Sequence, residues 1–400
     1  MTMSELDQVE LLTGAGARDL IAHALGTEGS ELIECTVHSL HHRPGAGVTV
    51  GYTATVRTAS GATEEQYICA TTGRITNPTS SGLVRLDHPD GEISVHVWRH
   101  PHDPELPTLP IACDSGMVSR MVGATASVSI VSYRPTRRCV VKVTGETGPI
   151  AYLKVVRPKL FPDLVRRHEI LTAAGVPVPR ITHADDRGLV VLTLAHGRPL
   201  ARFLSDGLDD DAATLDAVVG TLDLLPDEVT SLPRHPSWSE RVDFYGHAAA
   251  TALPSEAERA RAVAHAVTRM MQASDPGPVV PTHGDFYEAN IFLSSPTQVS
   301  ALLDVDAVGP GHRVDDLACL LGHASVLPCL APKSYPNVPD TLAVWWDHLA
   351  AEEVDRTALA ARAAAVTLSL VAGAKKTQGE GWRKDALGRL AQAEHWLTLG

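Results

Sequence analysis

The segment Thr282-His283-Gly284-Asp285-Phe286-Tyr287-Glu288-Ala289-Asn290 sets an aspartate five residues before an asparagine. A second acidic group, Leu303-Asp304-Val305-Asp306, begins its carboxylates fourteen residues past that asparagine. These residue types suit phosphoryl transfer to a hydroxyl. That reaction needs a carboxylate to orient the attacking hydroxyl and take its proton, and hard oxygen ligands to hold Mg²⁺ against nucleotide phosphates. The spacing assigns Asp285 as the base and Asn290 and Asp304 as the metal ligands. His-Gly-Asp alone would read as a turn, so the specificity comes from the whole string with the later aspartate. His283 reads as a buried scaffold residue pinning the loop backbone. Asp306 either joins the metal or substrate site or braces the loop, and bracing is the favoured reading.

The phosphates also need a cation. Lys154 lies between Tyr152-Leu153 and Val155-Val156, on a strand that reads as largely buried, where a charge wants a partner. Glu169, fifteen residues on, is that partner, with Lys142 the rival to Lys154 one strand earlier. The helix carrying Glu169 starts at Pro162-Asp163, places Leu164, His168 and Leu171 on one face, and stops at Gly175 and Pro177. A strand follows through Leu189-Val190-Val191-Leu192-Thr193-Leu194 and ends at a hinge, Ala195-His196-Gly197. Beyond it the pattern is mostly helical, with Asp209-Asp210-Asp211 opening one helix and terminal helices over 358–374 and 384–397. No G-x-G-x-x-G is present. Val122-Gly123-Ala124-Thr125-Ala126-Ser127 takes its place in this reading, between the first two strands of the nucleotide lobe, with backbone N–H and hydroxyl donors for phosphate.

A second hairpin lies upstream. Residues 48–56 alternate apolar and polar, Thr58-Ala59-Ser60-Gly61 turns the chain, and Gln66 to Thr71 returns. Its Arg43-Pro44 entry resembles Arg134-Pro135, ninety-one residues later, so the two hairpins read as a duplication. The first copy ends in Ala70 and runs into Gly73-Arg74-Ile75-Thr76-Asn77-Pro78, turn material without a helix. The expected organisation is therefore a β-rich cap over 1–115, a degenerate duplicate of the nucleotide lobe hairpin. A nucleotide-binding lobe follows over 116–195, and a helical lobe with catalytic and acceptor sites over 196–400.

Four hundred residues at 44% hydrophobic and 20% charged suit two or three packed lobes and exclude a disordered chain. Residues 1–199 hold 19 Lys and Arg against 20 Asp and Glu, whereas residues 200–400 hold 15 against 27. An acidic second half disfavours nucleic acid and could draw a cationic substrate. The six cysteines are scattered without a C-x-x-C pair, as expected of reduced cytoplasmic thiols. The start of the chain lacks a secretion pattern, and no apolar run reaches membrane-spanning length. Two histidine groups, His38, His41, His42 and His96, His100, His102, lack partners at metal-ligand spacing and read as surface or strand-end residues.

At these residues the sequence resembles the aminoglycoside phosphotransferase family, the small-molecule branch of the protein-kinase-like fold, from about residue 120 to residue 325. The matching elements are Leu153-Lys154, Glu169, the Gly197 region, His283-Gly284-Asp285 with Asn290, Leu303-Asp304-Val305-Asp306 and Asp315-Asp316-Leu317-Ala318. The resemblance implies an α+β, protein-kinase-like bilobal fold, with a β-rich N-lobe and a mostly helical C-lobe. It implies ATP or GTP, Mg²⁺, and transfer of the γ-phosphoryl group to a hydroxyl of an aminoglycoside, amino sugar or similar small molecule. Lys154, Glu169, Ser127 and Leu194 would then contact the nucleotide, and Asp316 would brace the loop. The N-terminal extension is similar to that of maltokinase and glucosamine-kinase relatives. The Phe286-Tyr287-Glu288-Ala289 insert departs from their Leu-His-Leu-Gly type with Gln in place of Asn. A metabolic sugar or amino-alcohol kinase, or a non-catalytic scaffold of the same fold, are the alternatives. Acceptor contacts would come from around Trp238, Arg241, Asp243 and Tyr245, or from Glu380-Gly381-Trp382, although core or lid packing is the favoured reading of Trp238 and Trp382.

Overall fold

The computed structural model describes residues 3–43, 47–87, 93–351, 354–374 and 381–400. Pro44 to Ala46 of the first Arg-Pro turn and Glu380 of the expected acceptor turn lie outside the described residues. The chain divides into two compact units, Met1–Asp163 with Ile181–Leu194, and Leu164–Arg180 with Ala195–Gly400.

The first unit opens with helices α1 (Glu5–Thr13) and α2 (Ala17–Gly26), the former capped by Ser4, whose hydroxyl accepts the Asp7 N–H. An antiparallel sheet follows, built from β1 (Glu31–Arg43), β2 (Gly47–Arg57), β3 (Thr63–Thr71), β4 (Leu83–Asp87) and β5 (Ser94–Arg99), in the order β1-β2-β3-β5-β4. Strand alternation on β2 puts Val48, Val50, Tyr52, Ala54 and Val56 into a core with Leu12, Ile21 and Leu25. Burying each such side chain contributes about 1.5–3 kcal/mol. The Tyr52 hydroxyl, buried with its ring, donates to the Leu12 carbonyl at 2.6 Å and ties sheet to helix.

Helices α3 (Leu109–Ala112) and α4 (Ser115–Val122) lead to a second antiparallel sheet. Its strands are β6 (Ser127–Arg134), β7 (Arg138–Gly145), β8 (Gly148–Val156), β9 (Ile181–Asp185) and β10 (Leu189–Leu192), in the order β6-β7-β8-β10-β9. The two sheets thus share one strand order. Cys139, Val141, Val143, Leu153, Val155, Leu189 and Val191 pack against Leu109 and Val118. Between the third and fourth strands the second sheet inserts helix α5 (Phe161–Ala173), as the Pro162 and Gly175 signals predict. Residues 72–82 of the first sheet hold no helix.

One expectation is corrected here. The Val122–Ser127 segment does not join two strands. Asp114 caps α4 by accepting the Met117 N–H, Gly123 ends it in the left-handed region at φ 70°, and Ser127 opens β6 itself. The turn between β6 and β7 is Pro135-Thr136-Arg137.

In the second unit, β11 (Arg198–Pro199), α6 (Leu200–Asp206) and α7 (Asp211–Gly220) precede α8 (Val242–Ala252) and α9 (Ala257–Gln272). Asp210 caps α7, as the acidic run predicts. Strands β12 (Val279–Thr282), β13 (Ile291–Ser295), β14 (Gln298–Leu302) and β15 (Gly309–His312) follow, then α10 (Arg313–Leu330), α11 (Val338–Ala351), α12 (Arg356–Val371) and α13 (Trp382–Leu397). Helices α10 and α12 are buried on nearly every side rather than on one stripe. They approach closely because one is glycine where they touch. A Cβ on Gly322 would lie 2.7 Å from the Val366 side chain. The buried face of α5 carries Leu164, His168 and Leu171, with Arg167 and Ile170 beside them.

Candidate active site

The site grows from two short antiparallel pairings. Strand β12 pairs with β15, Thr282 opposite Gly309, and the Thr282 hydroxyl donates to the Gly309 carbonyl at 2.9 Å. Strand β13 pairs with β14, Ile291 opposite Leu302. The loop from His283 to Asn290 leaves the first pairing and enters the second, so both its ends are fixed. Gly284 turns the chain at φ 78°, and a Cβ there would meet the Ala307 carbonyl oxygen at 2.7 Å.

Asp316, in the first turn of α10, takes the loop's leading N–H groups. Its two oxygens accept from His283 at 2.7 Å and from Gly284 at 2.8 Å. Burial pushes the Asp316 carboxyl up to about 7, against the lowering by those two N–H donors. His283 is fully buried, and burial brings its imidazole down to about 4. The neutral ring accepts the Asp285 N–H at Nδ1, 3.3 Å away, and meets the buried Phe286 ring edge-on. Its role is to hold the loop backbone.

Asn290 closes the loop. Its amide nitrogen donates to the Asp285 backbone carbonyl at 2.9 Å and reaches the Asp285 carboxylate at 3.4 Å. Its carbonyl accepts the Leu303 N–H at 2.8 Å, so the residue before Asp304 is bonded directly to Asn290. Asp304 sits in the left-handed region at φ 55° and ψ 50°, a conformation that costs energy for a residue with a side chain and persists only where its surroundings hold it. Here they do so at both ends. Leu303 is bound to Asn290, and the carbonyl of Val308, past the 3₁₀ turn Val305–Ala307, accepts Arg167 Nε at 2.8 Å. Arg167 comes from α5 and is 2% exposed; it also donates to the Pro233 carbonyl at 3.3 Å.

These residues fit a magnesium ion on the chemistry of their donor atoms. With the Asn290 nitrogen committed to Asp285, the side-chain oxygen is the atom left for a metal, and Asp304 adds a carboxylate. Among the described residues no group of three or more His, Cys, Asp or Glu side chains could hold a metal ion.

An aromatic row adjoins Asp285. Tyr287 stacks on His323 with centroids 4.1 Å apart, His323 meets Trp238 at 6.1 Å, and Trp238 meets Tyr245 at 5.9 Å. Burial brings His323 down to about 3, so the imidazole in this row is neutral. Burial raises Tyr287, and the charges of Asp285, Glu288 and Asp304 raise it further. Glu288 is 6% exposed, and burial, with the Asp285 charge, holds its carboxyl up at about 7. Trp238 and Tyr245 thus connect to the loop through this row, and both pack in the helical core, as the packing reading of Trp238 has it. Arg241 and Asp243 are exposed beside it, and Trp382 opens α13.

The first unit carries Lys154, Ser127 and Leu194. Lys154 is 6% exposed on β8, opposite Val140 and Val190. The rival Lys142 is half-buried on β7, Ser127 is exposed at the start of β6, and Leu194 is half-buried just past β10. Glu169 lies exposed on α5, in the second unit. The structure therefore brings Asp285, Asn290 and Asp304 together with His283 and Asp316. The sequence reading missed Arg167, Glu288 and His323. The signal for Arg167 was there, a cation three residues after Leu164 on the face also formed by His168 and Leu171.

Residues 137–332 match the model of the phosphotransferase enzyme family. No curated protein matches the sequence. Among solved structures, a spectinomycin phosphotransferase in complex with ADP and spectinomycin superposes with a TM-score of 0.50 at 10% identity, covering 71% of this chain and 98% of that one. An ethanolamine kinase from Plasmodium vivax gives 0.43 at 11%, covering 68% and 83%, and an aminoglycoside phosphotransferase from Streptomyces rimosus gives 0.41 at 17%, covering 64% and 97%. The first of these shares the protein-kinase-like fold, and the family match spans the His283–Asn290 loop and α10. Residues 137–332, about half of the chain, are therefore similar to the phosphotransferase enzyme family.

Proposed function

We propose that the protein is a Mg²⁺-dependent small-molecule kinase that moves the γ-phosphoryl group of ATP or GTP to a hydroxyl of an aminoglycoside, amino sugar or similar acceptor. The observation that carries this reading is the closure of the Asp285 loop by Asn290, with Leu303 bonded back to Asn290 so that Asp304 follows at once. Asp285 orients the acceptor hydroxyl and accepts its proton as the oxygen bonds to the γ-phosphorus and the bond to the departing diphosphate breaks. Asn290 and Asp304 would hold Mg²⁺, which when bound neutralises charge on the phosphate oxygens. Lys154, supported by Glu169, would pair with the phosphates, and Ser127 and Leu194 would contact the nucleotide. His283 and Asp316 keep the loop backbone fixed, so little reorganisation is needed at the moment of transfer.

The acceptor side favours a compound with a ring face. The half-buried rings of Trp238 and Tyr287, joined through His323 with Tyr245 buried in the core, suit the face of a sugar or amino sugar and keep a metabolic sugar or amino-alcohol kinase as a second reading. A coupled ADP-release screen over aminoglycosides, amino sugars, neutral sugars and amino alcohols tests both. Turnover on aminoglycosides supports the first, and turnover on sugars or amino alcohols alone supports the second. Nucleotide binding without turnover on any acceptor would leave a non-catalytic scaffold.

A further inference from the structure

A cavity of about 400 Å³ lies in the helical unit between α10, α11 and α13. Sites for small molecules run from about 300 to 1,000 Å³. This cavity is not part of the loop site. Asp316 and His323, about two turns apart on α10, stand on the side of the helix that meets the Asp285 loop. Ser325, Pro328 and Cys329 line the cavity and project from the other side, about 140–240° around the helix from His323.

The walls are aromatic and apolar, with Leu342 and Trp346 from α11, Trp396 from α13 and Pro328 from α10. The two indole rings lie 5.6 Å apart at 49°. Their N–H groups differ in what they meet. Trp396 donates to Ser325 Oγ at 3.2 Å, and Ser325 donates onward to the Gly322 carbonyl at 2.8 Å. Trp346 is 5% exposed, and its N–H has no acceptor among the described residues. A buried donor left in that state is costly, and native structures keep few of them without cause. Asp347 and His395, both exposed, and the half-buried Gln392 complete the lining. None of these three side chains makes a hydrogen bond or ion pair among the described residues. The Arg356 guanidinium lies 5.5 Å from the centre of the Trp346 ring, so a cation already takes that aromatic surface and a neutral ring suits what is left.

We propose that this cavity is a binding site for a neutral, flat nitrogen heterocycle of bicyclic size that carries an exocyclic amine. The rings lie against Trp346, Trp396 and Leu342, a ring nitrogen accepts the Trp346 N–H, and the amine donates to the Asp347 carboxylate. Gln392 and His395 supply further polar contacts. The combination of apolar walls with a few uncommitted polar groups is the usual make-up of a small-molecule site. Nothing in it requires the kinase chemistry proposed above.

Isothermal titration with 6-aminoquinoline and with quinoline, which lacks the amine, tests the site. The wild type should bind one equivalent of 6-aminoquinoline, about 5–20-fold more tightly than quinoline, and excess ATP with Mg²⁺ should not displace it. Asp347→Ala should remove that preference and leave quinoline unchanged. Trp346→Phe keeps an aromatic ring but no N–H, and should weaken both ligands by about 5–20-fold. Ala343→Trp, at an exposed position on the cavity wall, should fill the space and abolish binding of both. Absence of saturable binding to the folded wild type overturns the proposal, as do displacement by ATP and unchanged affinities in Ala343→Trp. Equal affinities of the two ligands for the wild type overturn the role given to Asp347. If Trp346→Phe does not fold, the two variants at exposed positions, Ala343→Trp and Asp347→Ala, decide the matter by the same criteria.

Discussion

The side-chain nitrogen of Asn290 donates to the backbone carbonyl of Asp285 at 2.9 Å, so the residue proposed for the metal also sets the shape of the loop that carries the proposed base. Asn290→Ala removes both contributions at once. Its phosphoryl-transfer rate should fall by at least about tenfold, and the Mg²⁺ concentration for half-maximal rate should rise by about 10–100-fold. Initial rates across a magnesium titration check this. A slower enzyme with an unchanged magnesium midpoint would assign Asn290 to loop shape alone.

Asp316 satisfies two buried N–H groups with one carboxylate. Asp316→Ala leaves both without an acceptor and should cost about 2–6 kcal/mol of stability, at about 1–3 kcal/mol for each stranded group. Asp316→Asn keeps one acceptor oxygen and should lose about half as much. Urea unfolding midpoints at constant m-value give the comparison.

Gly284 has no room for a Cβ, since the Ala307 carbonyl oxygen would lie 2.7 Å from it, and its φ of 78° is unfavourable for any side chain. Gly284→Ala should destabilise by about 1–3 kcal/mol and lower kcat through displacement of Asp285. Parallel unfolding and rate measurements test it. A variant with native stability and rate would show that the loop relaxes freely.

His323 supplies a pH signature. Its folded pKa is held down to about 3 by burial, below the ordinary imidazole value near 6.5. Between those two values the unfolded chain binds the proton and the folded chain does not. Stability therefore rises with pH across that window, is fully present above about 6.5, and is lost as pH falls toward 3. His323→Phe keeps a ring against Tyr287 and should flatten the slope of unfolding free energy between pH 4 and pH 6.5, as measured by denaturant titration at several pH values.

Much of this was readable in the sequence because it rests on local signals. The loop from His283 to Asn290 has fixed spacing, residues 48–56 of β2 alternate apolar and polar, and α5 is bounded by Pro162 and Gly175. The bracing role of Asp316 came from the family resemblance and not from a local signal. The segment at Val122–Ser127 misled because glycine and small polar residues suit a phosphate loop and a helix C-cap equally well, and only the Asp114 cap decides between them. The contacts of Asp103 with Tyr133 and Thr136, and of Glu105 with Thr76, were hidden for a different reason. They join segments about 30 residues apart through single carboxylates in an irregular stretch, and no periodicity marks such a pairing. Arg167 showed itself as a cation on an apolar helix face, but what it does there is set by the Val308 carbonyl, far off in the sequence.

The central claim is that Asp285 takes a proton from an acceptor hydroxyl during phosphoryl transfer. The direct measurement is transfer of labelled γ-phosphate from ATP to the best acceptor of the screen, by wild type and Asp285→Asn, with ATP affinity measured alongside. The account predicts a loss of at least about 10²-fold in turnover with ATP affinity within a fewfold of wild type. Equal turnover by the two proteins on the same acceptor would contradict it.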